Sequence, residues 1–326
     1  GYGVTLAYAD YRAMYKRGGI ASVVVAKVAK ACWRDMPQLK VGDTETLSNE
    51  LLELKNAGLF KALEKADILN RIGKFSVLLI GVPDGQDLDK PVGSAGTGNF
   101  SGLYFNVYNE EGVTIVQYDN DPASPRYDLP LMYQLQTRVM DDSVLTKQAR
   151  SVLVHHSRIV HLAEGSLESP LEGVSALEQP WNALIDKEKV RGSSAEAYYR
   201  NARQKLSLET EKGFQVADDG GKLKTQVGDF QNGLQDTLRL NGMKANMLQP
   251  SMASPRDPFD VCVEEIAGTT GIPVRLLTTK AGGTVTGAED KASWNAVIND
   301  RQDQECTGYL IDSLQIMSSA GMINLP

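Results

Sequence analysis

The sequence predicts an α+β fold, on three observations. Helical periodicity dominates up to about residue 70 and then gives way to short strand-like runs, without the regular strand–helix alternation of a parallel sheet. Those runs, residues 75–80, 103–108, 113–118, 131–135 and 152–156, are joined by proline and aspartate turns. From Pro180 onward the pattern returns to helix, much of it polar.

Residues 8–31 are predicted as helix in two pieces divided by Gly18-Gly19, the second weakened by its β-branched run. Pro37 ends that element, because proline disfavours helix at the residue before it. Residues 51–70 read as one helix, with Leu52, Leu59, Leu63, Ala66 and Leu69 near helical period. Residues 75–80 are nearly all apolar between Gly73 and the turn Gly81-Val82-Pro83-Asp84-Gly85, which predicts a buried strand. Residues 84–99 form a loop containing Gly93, Gly96 and Gly98. It lacks the lysine and the strand–helix setting of a phosphate-binding loop, since Gly98 is followed by Asn99-Phe100.

Pro180 starts a long polar helix over residues 181–207, whose apolar positions are only Trp181, Leu184, Ile185, Tyr198, Tyr199 and Ala202. A helix so sparsely apolar either bridges solvent or packs through narrow contacts. A shorter helix is expected at 230–240, a strand at 243–248, and a helix at 260–269 stopped by Gly271-Ile272-Pro273. Residues 276–287 read as a loop of small and β-branched residues. Residues 288–318 read as a helix whose apolar stripe is interrupted by the polar patch at 301–305.

Composition narrows the function classes. A chain of 326 residues, 42% hydrophobic and 23% charged, supports a real core and one extended or two ordinary domains. The three cysteines, Cys32, Cys262 and Cys306, are widely spaced and read as small buried hydrophobes in a reducing compartment. The three histidines, His155, His156 and His161, lack ligands at structural-zinc spacing, so neither metal nor cofactor is expected. The longest apolar stretch falls well short of the roughly 20 residues of a membrane span, and no signal peptide opens the chain. The first residue, Gly1, and the end at Leu325-Pro326 predict an excerpt of a longer product. A net charge of −7 argues against a broad, tight grip on nucleic acid but is compatible with a surface past which DNA slides.

Two clusters invite catalytic readings. His155-His156-Ser157-Arg158 sets histidine beside serine, but strand neighbours point to opposite faces and no aspartate is placed to orient the ring, so a structural role for His156, Ser157 and Arg158 is expected. Asp119, Asp121 and Asp128 resemble a carboxylate cluster for metal-assisted hydrolysis, yet Pro122 and Pro125 among them predict a rigid turn. Arg34-Asp35 is expected as a salt-bridged helix end.

Residues 264–277, Glu-Glu-Ile-Ala-Gly-Thr-Thr-Gly-Ile-Pro-Val-Arg-Leu-Leu, resemble the tailed-phage portal pattern of a helix ending in I-A-x-x-x-G-I-P-x-x-x-L. In the same order as in portals come Gly73 within 66–79, D-P-A-S-P-R-Y and L-P-L-M-Y within 118–133, His156-Ser157-Arg158-Ile159, and Gly173-Val174-Ser175-Ala176-Leu177 leading to Trp181. Thr286-Gly287-Ala288-Glu289-Asp290, Trp294 and Arg301-Gln302 follow the glycine-rich loop. The likeness runs from about residue 35 to 321, is weakest between 206 and 255, and departs from the pattern at Val160-His161-Leu162-Ala163-Glu164-Gly165.

The resemblance implies a portal fold. Its parts would be an α/β wing over 1–180, a first stem helix over 181–207, a small clip over 208–255, a second stem helix over 256–273, a tunnel loop over 274–287 and a wing- or crown-leading helix over 288–326. It implies a non-enzymatic structural subunit at one capsid vertex of the virion, assembled in the host cytoplasm. The partners would be identical subunits in a closed ring of about twelve, double-stranded DNA held without sequence preference, a terminase large subunit, a head-tail adaptor and the major capsid protein. The DNA-facing residues would be Thr278, Thr279, Lys280, Gly282, Gly283, Thr284 and Thr286, whose hydroxyls touch phosphates weakly while Lys280 gives a collar of charge. Trp181, Tyr198, Tyr199, Glu264 and Glu265 would face neighbouring subunits, and Gly271 and Pro273 would shape the break before the loop. The alternatives are another head-tail connector or minor capsid protein, a metal-dependent nuclease, and, for the threonine-rich segment, an ordinary surface loop.

Overall fold

One six-residue strand organises the larger part of the structure. The computed structural model describes residues 3, 5–41, 44–98, 100–137, 150–201, 205–213, 221–238, 240–248, 254–278 and 288–325. The chain divides into two units, Gly1–Asn182 with Ile266–Pro326, and Ala183–Glu265.

In chain order the first unit begins with α1 (Tyr8–Lys16) and α2 (Ile20–Cys32), a short ribbon of β1 (Leu39–Val41) and β2 (Thr44–Thr46), then α3 (Ser48–Ala57) and α4 (Leu59–Ile72). The strands β3 (Ser76–Gly81), β4 (Tyr104–Asn109), β5 (Val113–Tyr118), β6 (Pro130–Thr137), β7 (Arg150–His155) and β8 (Ile159–Leu162) follow. The β-branched run does not prevent α2 from forming. Val24 and Val25 are fully buried, and such burial outweighs the few tenths of a kcal/mol lost in propensity. The helix expected over 51–70 is two helices: Gly58, at φ +98°, caps α3 by donating its N–H to the carbonyls of Leu54 and Lys55 and restarts the chain as α4.

β3 is buried at every position and lies between β4 and β8, antiparallel to both. Its continuous apolar run is explained by two faces that are both covered. Leu78 and Ile80 pack into a core with Leu59, Leu63, Ala66 and Met317. Val77 and Leu79 pack with Val113, Tyr133, Leu135 and Val154 of the antiparallel sheet β5-β6-β7. The unit is therefore layered, with helices on one side of the β4-β3-β8 sheet and a second sheet on the other. β8, which sequence pattern did not predict, supplies Val160 to the first core and Ile159 to the second.

The second unit holds most of α5 (Trp181–Asn201), β9 (Lys205–Thr210), α6 (Lys222–Gln231), β10 (Met243–Leu248) and most of α7 (Arg256–Thr270). The expectation of helix to residue 207 is corrected here. α5 stops at Asn201, and residues 205–210 form a strand antiparallel to β10, in register from Lys205↔Leu248 to Thr210↔Met243. Leu206 and Leu208 alternate with polar neighbours, the two-residue period that suits a strand. The helix expected at 230–240 lies earlier, at 222–231.

α8 (Val274–Thr278), α9 (Ala288–Arg301), a π turn (Gln302–Cys306) and α10 (Thr307–Ser319) return to the first unit. The π turn occupies the polar patch that interrupts the apolar stripe, so the interruption marks a local change of helical pitch within one continuous rod. Residues 274–278, expected to be loop, are helical.

Candidate functional site

The segment 279–287 is held between two built ends. On the upstream side α7 stops where Gly271 turns the chain at φ +68°, and Pro273 O accepts the amides of Leu276 at 2.8 Å and Leu277 at 3.3 Å to start α8. Ile272 and Leu277 are buried, and Lys27 Nζ of α2 donates to Leu276 O at 2.9 Å. Burial lowers the Lys27 pKa, and this hydrogen bond ties α8 to α2. Thr278 ends α8 and bonds its own helix, Oγ1 to Val274 O at 3.0 Å. Thr279, Lys280, Gly282, Gly283, Thr284 and Thr286 lie outside the described residues.

On the downstream side α9 ends in a buried ionic network. Arg301 binds Asp67 of α4 through Nη1 to Oδ2 at 2.9 Å and through Nη2 to Oδ1. It binds Glu164 through Nε to Oε1 at 3.0 Å and Nη2 to Oε2 at 2.9 Å. Arg71 closes the far side of Glu164 at 2.7 and 3.0 Å and donates to the α2 carbonyls of Val24 and Val25, both at 3.2 Å. Trp33 Nε1 donates to Asp67 Oδ2 at 2.8 Å. Burial by itself would raise the Glu164 pKa. Hydrogen bonds from Arg301 and the charges of Arg71 and Arg301 outweigh it and bring the carboxyl to about 2. Arg301 would lose its proton more easily through burial, but Asp67 and Glu164 hold that proton more firmly than usual. Two guanidinium groups and two carboxylates thus fix α2, α4, the segment after β8 and α9 in one arrangement.

The His-Ser-Arg element performs a different fastening. Residues 156–158 form a 3₁₀ turn between β7 and β8. Arg158, fully buried, donates to Asp84 at 2.7 Å, Lys90 O at 3.0 Å and Pro91 O at 3.3 Å. Ser157 Oγ accepts the Val92 amide at 3.0 Å, and Asp84 accepts the Gly93 amide at 2.7 Å. What these residues hold is therefore the 84–93 loop, not a helix. The histidine that meets Ser157 is His155, through Nδ1 at 2.9 Å. Burial and then the Arg126 and Arg158 charges lower the His155 pKa. Burial and Arg126 likewise bring His156 to about 4.

Other segments singled out in the sequence have local partners. Ala95 and Gly98 in the glycine-rich loop donate to the Ala320 and Met322 carbonyls, both at 2.9 Å, so these amides are not aimed at a ligand. Asp119 and Asp121 accept turn amides, at 3.1 Å from Asp121 and 3.0 Å from Ala123, and Asp119 also accepts Ser124 Oγ at 2.6 Å. Arg34 and Asp35 pair at 3.0 Å on the surface.

Over residues 9–322 the sequence matches the family described as phage portal protein. The chain belongs to that family. Solved structures share this fold. The neck of a native GTA particle computed with C12 symmetry aligns at a TM-score of 0.58 with 13% identity, over 88% of this chain and 74% of that one. The neck of an empty GTA particle computed with C6 symmetry aligns at 0.54 with 16% identity, over 87% and 75%. The virion of a native gene transfer agent particle aligns at 0.54 with 14% identity, over 87% and 74%. No curated protein matches the sequence.

Within this portal chain Trp181 is a core residue, packed edge-on against Tyr11 with ring centroids 5.4 Å apart. Tyr198 and Tyr199 are exposed, as are Glu264 and Glu265 on α7. From Glu188 to the end of α5 no residue is buried. The network of Arg301, Asp67, Glu164 and Arg71 escaped sequence reasoning. Its signal was present as a polar residue, Arg301, on an otherwise apolar stripe.

Proposed function

We propose that this portal protein works as a non-enzymatic subunit of a closed ring at one capsid vertex, a channel for double-stranded DNA and a docking platform for the packaging terminase, the head-tail adaptor and the major capsid protein. The observation that carries the proposal is the family match, which runs through nearly the whole chain. The C12 and C6 symmetries of the similar neck structures support a ring of about twelve identical subunits. Location in the virion, after assembly in the host cytoplasm, follows from the same reading.

On this proposal the wing comprises 1–180 and most of 288–326. The first stem helix is α5, shortened to Asn201, and the second is α7. The clip falls within 208–255, built on β9, α6 and β10, and the tunnel loop narrows to 279–287 because 274–278 are helical. An α5 face that buries nothing over its last two-thirds suits a helix whose neighbours are other copies. Among the described residues no helix is long and apolar enough to cross a membrane. A net charge of −7 suits a channel that passes DNA without retaining it.

The test is negative-stain imaging of the purified full-length product, with a magnesium-dependent DNA cleavage assay on the same sample. Rings with a central hole and no cleavage agree with the proposal; monomers, filaments, or cleavage abolished by Asp121→Ala would overturn it.

A further inference from the structure

We propose that Cys32 and Cys306 form a modification site, a buried dithiol open to a surface cavity that small oxidants convert into a disulfide joining α2 to the π turn. Cys32 closes α2 and Cys306 closes the π turn, so the bond would connect positions far apart in sequence. The two sulphurs are near enough to perturb each other's titration, and Arg301 Nη1 donates to Cys306 Sγ at 3.4 Å. Gln302 Nε2 donates to the Cys32 carbonyl at 2.7 Å and holds the two chain segments together at that point. Though each cysteine is only 3% and 6% exposed, both line a cavity of about 310 Å³ that also includes Trp33, Met36, Gln302 and Leu310. A reagent the size of hydrogen peroxide fits there easily, since a water molecule occupies about 30 Å³.

The surroundings make the two sulphurs unequal. The nearby Cys306 and the Arg301 charge bring Cys32 to about 7 against the opposing effect of burial, while Cys306 is raised. The charged groups facing the pair are Arg301 from α9, Asp67 from α4 and Asp35 at the cavity wall. Cys32 is therefore the attacking thiolate and Cys306 the resolving thiol. The Cys32 thiolate attacks one oxygen of hydrogen peroxide and the O–O bond breaks. Hydroxide leaves, takes up a proton as water, and Cys32 becomes a sulfenic acid. Cys306 sulphur then attacks Cys32 sulphur and displaces the hydroxyl, which departs as water with the Cys306 proton. In sum two thiols and one peroxide give one disulfide and two waters, with two electrons passing from sulphur to oxygen. The outcome would staple α2 to the rod that follows residues 279–287. The site stands on this chain alone and does not depend on ring formation.

The experiment uses the full-length protein, freed of reductant and exposed to hydrogen peroxide, with peptide mapping under non-reducing conditions. The expected product is an intrachain peptide linked through Cys32 and Cys306, with the Cys262 thiol left to titrate. Tm should rise by roughly 5 °C and return on adding dithiothreitol. Before oxidation, iodoacetamide at pH 7 should alkylate Cys32 roughly tenfold faster than Cys262. Cys32→Ser and Cys306→Ser should each abolish the linked peptide, and Cys262→Ser should leave it intact. The mapping on the parent chain stands even where a serine variant does not fold. Oxidation confined to Cys262 or appearing only as interchain dimers, or Cys32 alkylation no faster than that of Cys262, would overturn the proposal.

Discussion

Replacing Arg301 with methionine removes the cation from the buried network while keeping a long apolar stem. Asp67, whose side chain is wholly buried, then retains only the Trp33 indole N–H, whereas Glu164 keeps Arg71. Orphaning one partner of a buried pair costs about 3–5 kcal/mol. The pKa displacement of Glu164, from an ordinary 4.5 to about 2, corresponds to about 3 kcal/mol for that carboxylate, shared between Arg301 and Arg71. Arg301→Met is therefore expected to lose about 3–5 kcal/mol in urea unfolding, followed by tryptophan fluorescence at fixed protein concentration. Adding Asp67→Asn, which removes the stranded charge but keeps an acceptor for Trp33, should restore at least half. Acid provides a second arm. Because Glu164 titrates lower in the folded than in the unfolded chain, its contribution is present above pH 4.5 and is lost as pH falls from 4.5 to 2. The deficit of the variant relative to the parent should therefore shrink across that window. An Arg301→Met protein within about 0.5 kcal/mol of the parent, the size of an ordinary surface substitution, would refute the reasoning. So would a double variant no more stable than the single one.

Four further expectations concern other parts of the chain. Arg158→Ala should cost about 3–5 kcal/mol and Arg158→Lys less, with hydrogen exchange at the Val92 and Gly93 amides accelerating in both as the 84–93 loop loosens. Gly173→Ala places a Cβ against the Glu164 backbone, which cannot give way as a side chain would, and should lower stability by about 1–3 kcal/mol. Gly308→Ala, exposed in α10 with nothing near its Cβ, should raise it by about 0.5–1 kcal/mol by thermal melts of the purified chain. Tyr198→Ser with Tyr199→Ser should leave helix content by circular dichroism unchanged while reducing the mass of the assembled particle by light scattering, because both rings are exposed in the single chain.

Much of this fold was legible where one local pattern met no competitor. The all-apolar run of β3 and the breaks at Gly18-Gly19 and Gly271-Ile272-Pro273 have local causes and are found where sequence places them. Elements decided by long-range packing were less so. α2 forms against its β-branched composition because Val24 and Val25 find a buried seat. Gly58 could be either an interior glycine or a cap, and only its backbone conformation, φ +98° with its N–H on the Leu54 and Lys55 carbonyls, decides between them. In β9, Leu206 and Leu208 alternate over too few residues to outweigh the helical run before them, and the pairing with β10 supplies what the local pattern lacks. Among the site residues, Arg158 was recognised as structural while its partners, the loop at Asp84, Lys90 and Pro91, lie some 70 residues away by number. The packing of Trp181 in its own chain has no local signal, because Tyr11, the ring it meets, is remote in sequence. The Arg301 network draws its four ionic members from three widely separated segments, α4, the stretch after β8 and α9, so no spacing rule announces it.

The most direct measurement is a cryo-electron microscopy reconstruction of the assembled full-length product, refined without imposed symmetry. A closed ring is predicted, with α5 and α7 of adjacent copies side by side and residues 279–287 of every copy meeting around an opening wide enough for a DNA duplex. Discrete monomers, or a ring in which 279–287 face outward, would contradict it.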